Sequence, residues 1–156
     1  MSRRDGRAVF LDRDGTVMID TGYPKTPEEV RLVPGVAEVM RRLREAGFRL
    51  VLVSNQSGVG RGLLTAEQAR SVHERLVSAL AEHGVSLDGA YYCPHAPEAG
   101  CECRKPSPAM LLRILAHHRV GSDEALYVGD LEIDREAASR ANIAFEWAQT
   151  FFGHAP

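Results

Sequence analysis

Four carboxylates, a hydroxyl, an amide and a lysine occupy the positions in this chain where chemistry would be done. Asp12 and Asp14 follow the apolar run Ala8-Val-Phe-Leu11, and Asp130 and Asp134 follow a second run, Ala125-Leu-Tyr-Val128. Ser54 and Asn55 follow a third, Phe48-Arg-Leu-Val-Leu-Val53, and Lys105 precedes a helix expected from Pro108. Taken singly, Asp and Asn are common turn formers and helix caps at strand ends. Taken together they repel, and four gathered carboxylates stay ionised only if cations such as Mg²⁺ and the Lys105 ammonium balance them. The set calls for a hard divalent metal.

A second constellation has different chemistry. Cys93-x-His95, five residues, then Cys101-x-Cys103 supplies four soft or borderline ligands, the number that a closed tetrahedral zinc site requires. The spacing is tighter than in the usual zinc finger, and the alternative is three unconnected thiols in a turn with His95 on the surface. An odd number of cysteines packed into one short stretch fits metal ligation in a reducing compartment better than a disulfide framework. With no open coordination position such a zinc is structural, and it would fix the loop that delivers Arg104 and Lys105.

The elements that must position these groups are legible as alternation. The three apolar runs read as strands buried on both faces of a parallel sheet. Between the first two, Val36, Val39, Met40 and Leu43 repeat at helical spacing from the Pro34-Gly35 breaker to Gly47. Thr65-Ala-Glu-Gln68 reads as a capping box opening a helix with Val72, Leu76, Val77 and Leu80 on one face. A strand is expected over Leu87–Tyr92 and a helix over Pro108–His118 with Leu111, Leu112 and Leu115 inward. The sum is a doubly wound, mostly parallel α/β domain, whose ligands bind beyond the carboxyl ends of the strands. Asp20–Leu32 and Pro94–Arg104 are polar excursions from the core, and there is no internal repeat or low-complexity tract.

The 156 residues fit one domain, and 44% hydrophobic with 26% charged residues is ordinary for a globular chain. Lys+Arg of 19 against Asp+Glu of 21 gives a net charge of -2, so there is no broad basic surface for nucleic acid. No stretch approaches a membrane span, and the N-terminal residues Met1–Arg7 lack the apolar segment of a secretory signal. The expectation is a cytoplasmic monomer acting on a small molecule, with the aromatic tail Phe145–Phe152 either capping the sheet edge or serving as an association surface.

Asp-x-Asp-Gly-Thr after one strand, Ser-Asn after the next, Lys-Pro, then Gly-Asp-x-x-x-Asp, in that order, resembles the haloacid dehalogenase superfamily of phosphotransferases. The Asp12–Thr16 segment, the Ser54-Asn-Gln-Ser-Gly-Val-Gly-Arg-Gly62 loop and the Cys93–Pro106 segment are similar to its bacterial branch of heptose bisphosphate and histidinol-phosphate phosphatases. The resemblance implies a Rossmann-like core with a zinc loop and no separate cap domain. It further implies that Asp12 is the nucleophile, that Asp14 is the general acid and later the base, and that Ser54 and Lys105 hold the phosphoryl oxygens. Mg²⁺ would sit on Asp12, Asp130 and the Asp14 main-chain carbonyl, with Asp134 behind them.

Asn55, Arg61 and Arg104 are candidates for holding substrate, and a phosphorylated metabolite such as D-glycero-D-manno-heptose 1,7-bisphosphate is the expected one. Histidinol phosphate or a polynucleotide 3'-phosphate is the alternative. A signalling receiver domain would share the acidic Mg²⁺ pocket, the hydroxyl and the lysine, but it has no use for Asp14 or for a zinc loop. His73, His83, His117, His118 and His154 read as solvated surface groups, and the Gly58, Gly60, Gly62 pattern is by itself a weak phosphate signal.

Overall fold

The computed structural model describes residues 7–153, so His154 and the start of the N-terminal segment lie outside the described residues. Five strands, β1 (Ala8–Leu11), β2 (Arg49–Asn55), β3 (Gly89–Cys93), β4 (Ala125–Gly129) and β5 (Ala144–Trp147), form one parallel sheet in the order β3-β2-β1-β4-β5. The helices are α1 (Val36–Glu45), α2 (Ala66–Ala81), α3 (Ala109–His118), α4 (Glu132–Arg140) and α5 (Ala148–Phe152). Among the described residues no helix is long and apolar enough to cross a membrane.

Both faces of the sheet are covered, as the continuous apolar runs require. Alternation along β1 divides the core in two. Ala8 and Phe10 join Val51, Val53, Tyr127 and the inner faces of α3 and α4. Val9 and Leu11 join Leu50, Leu52 and the inner faces of α1 and α2, together with Ala148 and Phe152 of α5. Strand order reverses beside β1, whose neighbours are β2 on one side and β4 on the other. The crevice of such a sheet opens at that switch point, beyond the carboxyl ends of β1 and β4. The capping box at Thr65 is present, with Gln68 N–H on Thr65 Oγ1 at 3.0 Å and Thr65 N–H on Gln68 Oε1 at 2.8 Å.

Several expectations are corrected in detail. Strand β2 runs on through Ser54 and Asn55, because pairing with β3 continues to Asn55 opposite Cys93. The strand expected over Leu87–Tyr92 starts at Gly89 and ends at Cys93. The aromatic tail is a fifth strand and a short helix: β5 edges the sheet, and Phe152 of α5 is buried. Phe145 of β5 stacks on Tyr127 with ring centroids 6.0 Å apart, so the tail supports the middle of the molecule. Helix α4 carries small buried residues, Ala137 and Ala138, in place of a leucine stripe, which is why periodicity did not announce it. The histidines are not all solvated: His73 Nδ1 bonds Tyr92 Oη at 2.6 Å, and His118 Nε2 bonds Tyr91 Oη at 3.1 Å.

Candidate active site

The end of β1 places Asp12 at the bottom of the crevice, 5% exposed, with its main-chain N–H bonded to the Val128 carbonyl of β4. Gly15 then turns the chain with φ 80°, and a Cβ there would lie 2.1 Å from Asp130 Oδ2. Only glycine lets the β1 turn and the carboxylate after β4 approach so closely. Asp12, Asp130 and Asp134 all lie with their ligand oxygens within 4.8 Å of one another.

Lys105 is buried among these acids. Its Nζ, with three protons to donate, lies within hydrogen-bond reach of Asp134 Oδ1 at 2.6 Å, Tyr127 Oη at 2.7 Å, Asp12 Oδ1 at 3.1 Å and the Val53 carbonyl at 3.1 Å. Burial works against the ammonium, yet Asp12 and Asp134 outweigh it and hold the Lys105 pKa above its ordinary value. Asp134 is fully buried and spends its oxygens on Lys105, the Tyr127 hydroxyl at 2.9 Å and the Leu131 N–H at 3.1 Å. It therefore anchors the lysine. Asn55 clasps the same residue through its backbone, with Nδ2 on the Lys105 carbonyl at 3.1 Å and Oδ1 accepting the Lys105 N–H at 3.0 Å.

Burial pushes the Asp12 carboxyl up to about 7; Lys105 opposes the shift, and Asp134 and Asp130 reinforce it. Burial likewise raises Asp130, whose Oδ1 accepts from Thr16 Oγ1 at 3.4 Å. Acids gathered so closely repel when ionised, and a divalent cation between them would relieve that repulsion. The donor set is all oxygen and suits Mg²⁺. Because Asp12 titrates higher folded than unfolded, the metal-free fold loses stability as pH rises from about 4 through 7. Proton and ion compete for one group, so Mg²⁺ is expected to raise the melting temperature much more at pH 8 than at pH 5.5. Scanning fluorimetry at the two pH values checks this, and equal shifts would contradict it.

Asp12, Asp14, Ser54, Asn55 and Lys105 line one cleft of about 290 Å³, rimmed by Asp20, Tyr23, Leu131 and Ile133. That is the size of a small-molecule site. Two expected substrate contacts stand apart from it. Arg61 is exposed, with Nε on Ser57 Oγ at 3.1 Å, and Arg104 is not part of the lining, although its buried Nη1 has no hydrogen-bond partner. Two glycines of the Ser54–Gly62 loop serve packing: a Cβ on Gly58 would lie 2.2 Å from Leu64 Cδ2, and one on Gly60 would lie 2.5 Å from the Ala96 nitrogen. The loop lies against the cysteine segment, with Gly60 N–H bonded to the Pro94 carbonyl at 2.9 Å.

Two residues that spacing did not single out touch the site directly. Arg13 and Gln56 both bond the Asp14 carboxylate. Tyr127 is a third, hidden in an apolar run until the fold turns its hydroxyl toward Lys105.

The four sulfur and nitrogen ligands of the second constellation also converge. Cys93 Sγ lies 2.7 Å from Cys103 Sγ and 3.5 Å from Cys101 Sγ, and His95 Nδ1 lies 3.2 Å from Cys103 Sγ. A tetrahedron with bonds of about 2.3 Å has edges of about 3.7 Å, so a small outward movement accommodates zinc. Burial lifts the Cys93 thiol to about 12, while burial of Cys101 is outweighed by hydrogen bonds from its neighbours, which bring it to about 7. The cluster can hold a zinc ion. We expect one zinc per chain by elemental analysis, and Cys101→Ser should lower both zinc content and melting temperature because binding orders the loop. Zinc-free protein isolated without chelator would count against it.

A doubly wound sheet with an Asp-x-Asp pair, a buried lysine and a second acidic turn at its switch point defines a class of hydrolase. The chain belongs to the haloacid dehalogenase-like hydrolases, whose family model matches residues 22–142, and it is a phosphatase. It is 46% identical over 143 residues to the D-glycero-beta-D-manno-heptose-1,7-bisphosphate 7-phosphatase of Yersinia pestis, covering 87% of this chain and 76% of that one. The enzyme of the same name from Escherichia coli K12 is 41% identical over 143 residues, covering 87% and 75%. Among solved structures, the D,D-heptose 1,7-bisphosphate phosphatase of B. bronchiseptica, complexed with magnesium and phosphate, superposes with a TM-score of 0.85 at 37% identity, covering 89% of this chain and 78% of that one.

Proposed function

We propose that this phosphatase removes one phosphate from a sugar bisphosphate of the heptose 1,7-bisphosphate class by way of a phosphorylated Asp12. The observation that carries the reading is the buried Asp12 carboxylate at the switch point, held by Lys105 on the floor of a cleft of small-molecule size. Asp12 attacks phosphorus, and the leaving alcohol departs with a proton from Asp14. Asp14 then takes a proton from the water that hydrolyses the acyl-phosphate. The Lys105 ammonium and the Ser54 hydroxyl hold the transferring phosphoryl oxygens. Asp12, Asp130 and the Asp14 main-chain carbonyl would hold Mg²⁺, which would screen the acids and supply Lewis-acid polarisation of the phosphoryl group. The names of the relatives at 46% and 41% identity support the substrate class. The clustered free thiols support a reducing compartment such as the cytoplasm.

A bisphosphate needs a second cation for its distal phosphate. Arg104 is the candidate for that role: it lies outside the lining of the cleft, but it is next to Lys105 in sequence, and its planar guanidinium could fork the oxygens of a phosphate that extends beyond the cleft. Arg104→Ala is then expected to raise KM for the sugar bisphosphate about tenfold or more and to leave a sugar monophosphate nearly unchanged. Phosphate release measured on both, with histidinol phosphate as a third substrate, tests the reading. Equal losses on both sugars, or a wild type that prefers histidinol phosphate, would overturn it.

A further inference from the structure

The Asp14 carboxylate is held on both oxygens by residues with no assigned part in the reaction. Arg13 is 3% exposed. It donates from Nε to Oδ1 and from Nη2 to Oδ2, each at 3.2 Å. Gln56 donates from Nε2 to the same Oδ2 at 2.8 Å and lies 2.7 Å from Ser54 Oγ, while its Oε1 accepts from Arg13 Nη2 at 2.8 Å. The backbone of Gln56 is pinned in turn, its N–H on the Cys93 carbonyl at 2.7 Å. Behind the guanidinium, the Tyr92 ring lies with its centroid 5.6 Å away, and the Tyr92 hydroxyl is fixed by His73 Nδ1 at 2.6 Å. Burying a guanidinium is costly unless its bonds are made, and every one of these bonds bears on the orientation of a single carboxylate.

We propose that Arg13 and Gln56 are positioning residues for the proton transfers of Asp14. Oδ2 accepts two donors, which use both of its lone pairs, whereas Oδ1 accepts one. Oδ1 therefore keeps a free lone pair, and it is the atom that carries the transferred proton. As the bond from phosphorus to the leaving oxygen breaks, the Oδ1 proton passes to that oxygen. When water attacks the phospho-aspartate, Oδ1 takes the water's proton and the resting state returns. Arg13 and Gln56 keep their own protons throughout. Their contribution is to hold the plane of the carboxylate, and a displacement of about 1 Å in a reacting group costs on the order of a hundredfold.

The inference rests on Asp14 being the acid, so the experiment separates the two claims. kcat/KM is measured for the sugar bisphosphate that turns over fastest, whose alkoxide needs a proton to leave, and for 2,4-dinitrophenyl phosphate, whose leaving group does not. Gln56→Met, nearly isosteric but without the amide donors, is expected to lose roughly 30- to 100-fold on the bisphosphate and less than about threefold on the dinitrophenyl ester. Arg13→Lys, which keeps the charge and loses the fork, should show the same bias. Asp14→Asn is the reference. If Asp14→Asn discriminates between the two substrates and Gln56→Met falls equally on both with unchanged zinc content and melting temperature, the positioning role is wrong. If Asp14→Asn itself shows no bias, the acid assignment fails first.

Discussion

Asp12→Asn is expected to drop phosphate-ester hydrolysis by at least about 10⁴-fold while the protein folds normally, because no neighbouring group can replace the nucleophile. The neighbouring carboxylates have other partners: Asp134 holds Lys105 and Tyr127, Asp14 is bonded by Arg13 and Gln56, and Asp130 accepts from Thr16. Stability should move in the opposite direction. The Asp12 carboxyl is raised to about 7 by burial, so above that pH the metal-free fold carries an ionised group that burial opposes. A neutral amide of the same shape removes that cost. At pH 8 without Mg²⁺ the variant should therefore melt at or above the wild-type temperature, and it should lose most of the stabilisation that Mg²⁺ gives. A variant that turns over at more than a few per cent of the wild-type rate would dismiss the nucleophile assignment.

Lys105→Met should be the most destabilising change in the site. It removes the one cation that, among the described residues, is bonded to the fully buried Asp134, and one of the partners of Asp12. Breaking a buried pair from one side leaves an uncompensated charge and costs about 3–5 kcal/mol. In a chain of this length that corresponds to roughly 6 to 20 °C in melting temperature. The double variant Lys105→Met with Asp134→Asn removes the stranded charge as well, and it should recover a large part of the loss without recovering activity. A double variant less stable than the single one would mean that Lys105 acts mainly through its packed stem.

The legible part of this molecule was the part fixed by strand ends. Asp12, Ser54, Asn55 and Asp130 each follow or close a continuous apolar run, and a doubly wound sheet brings such positions to one crevice whatever the loops do. The Cys-x-His and Cys-x-Cys pairs were legible because ligand chemistry restricts both residue type and number. What stayed hidden depends on contacts between residues distant in sequence. Arg13 occupies the spacer of Asp-x-Asp, where spacing assigns it nothing, yet it is buried and Gln56, 43 positions away, accepts its Nη2. Tyr127 sits in an apolar run and reads as core; only the fold brings Lys105 to its hydroxyl. Its other support is Phe145, in a segment where four residues of edge strand were too short for alternation to stand out.

The central claim is that the phosphoryl group passes through Asp12. Protein mixed with the preferred substrate and quenched during turnover, then treated with borohydride, should carry homoserine at position 12, because an acyl-phosphate is reduced to the alcohol while a free carboxylate is not. Peptide mass spectrometry should find that conversion at Asp12 alone, and not in protein quenched without substrate. Conversion at another aspartate, or none while phosphate is being released in a burst, would contradict a mechanism that runs through Asp12.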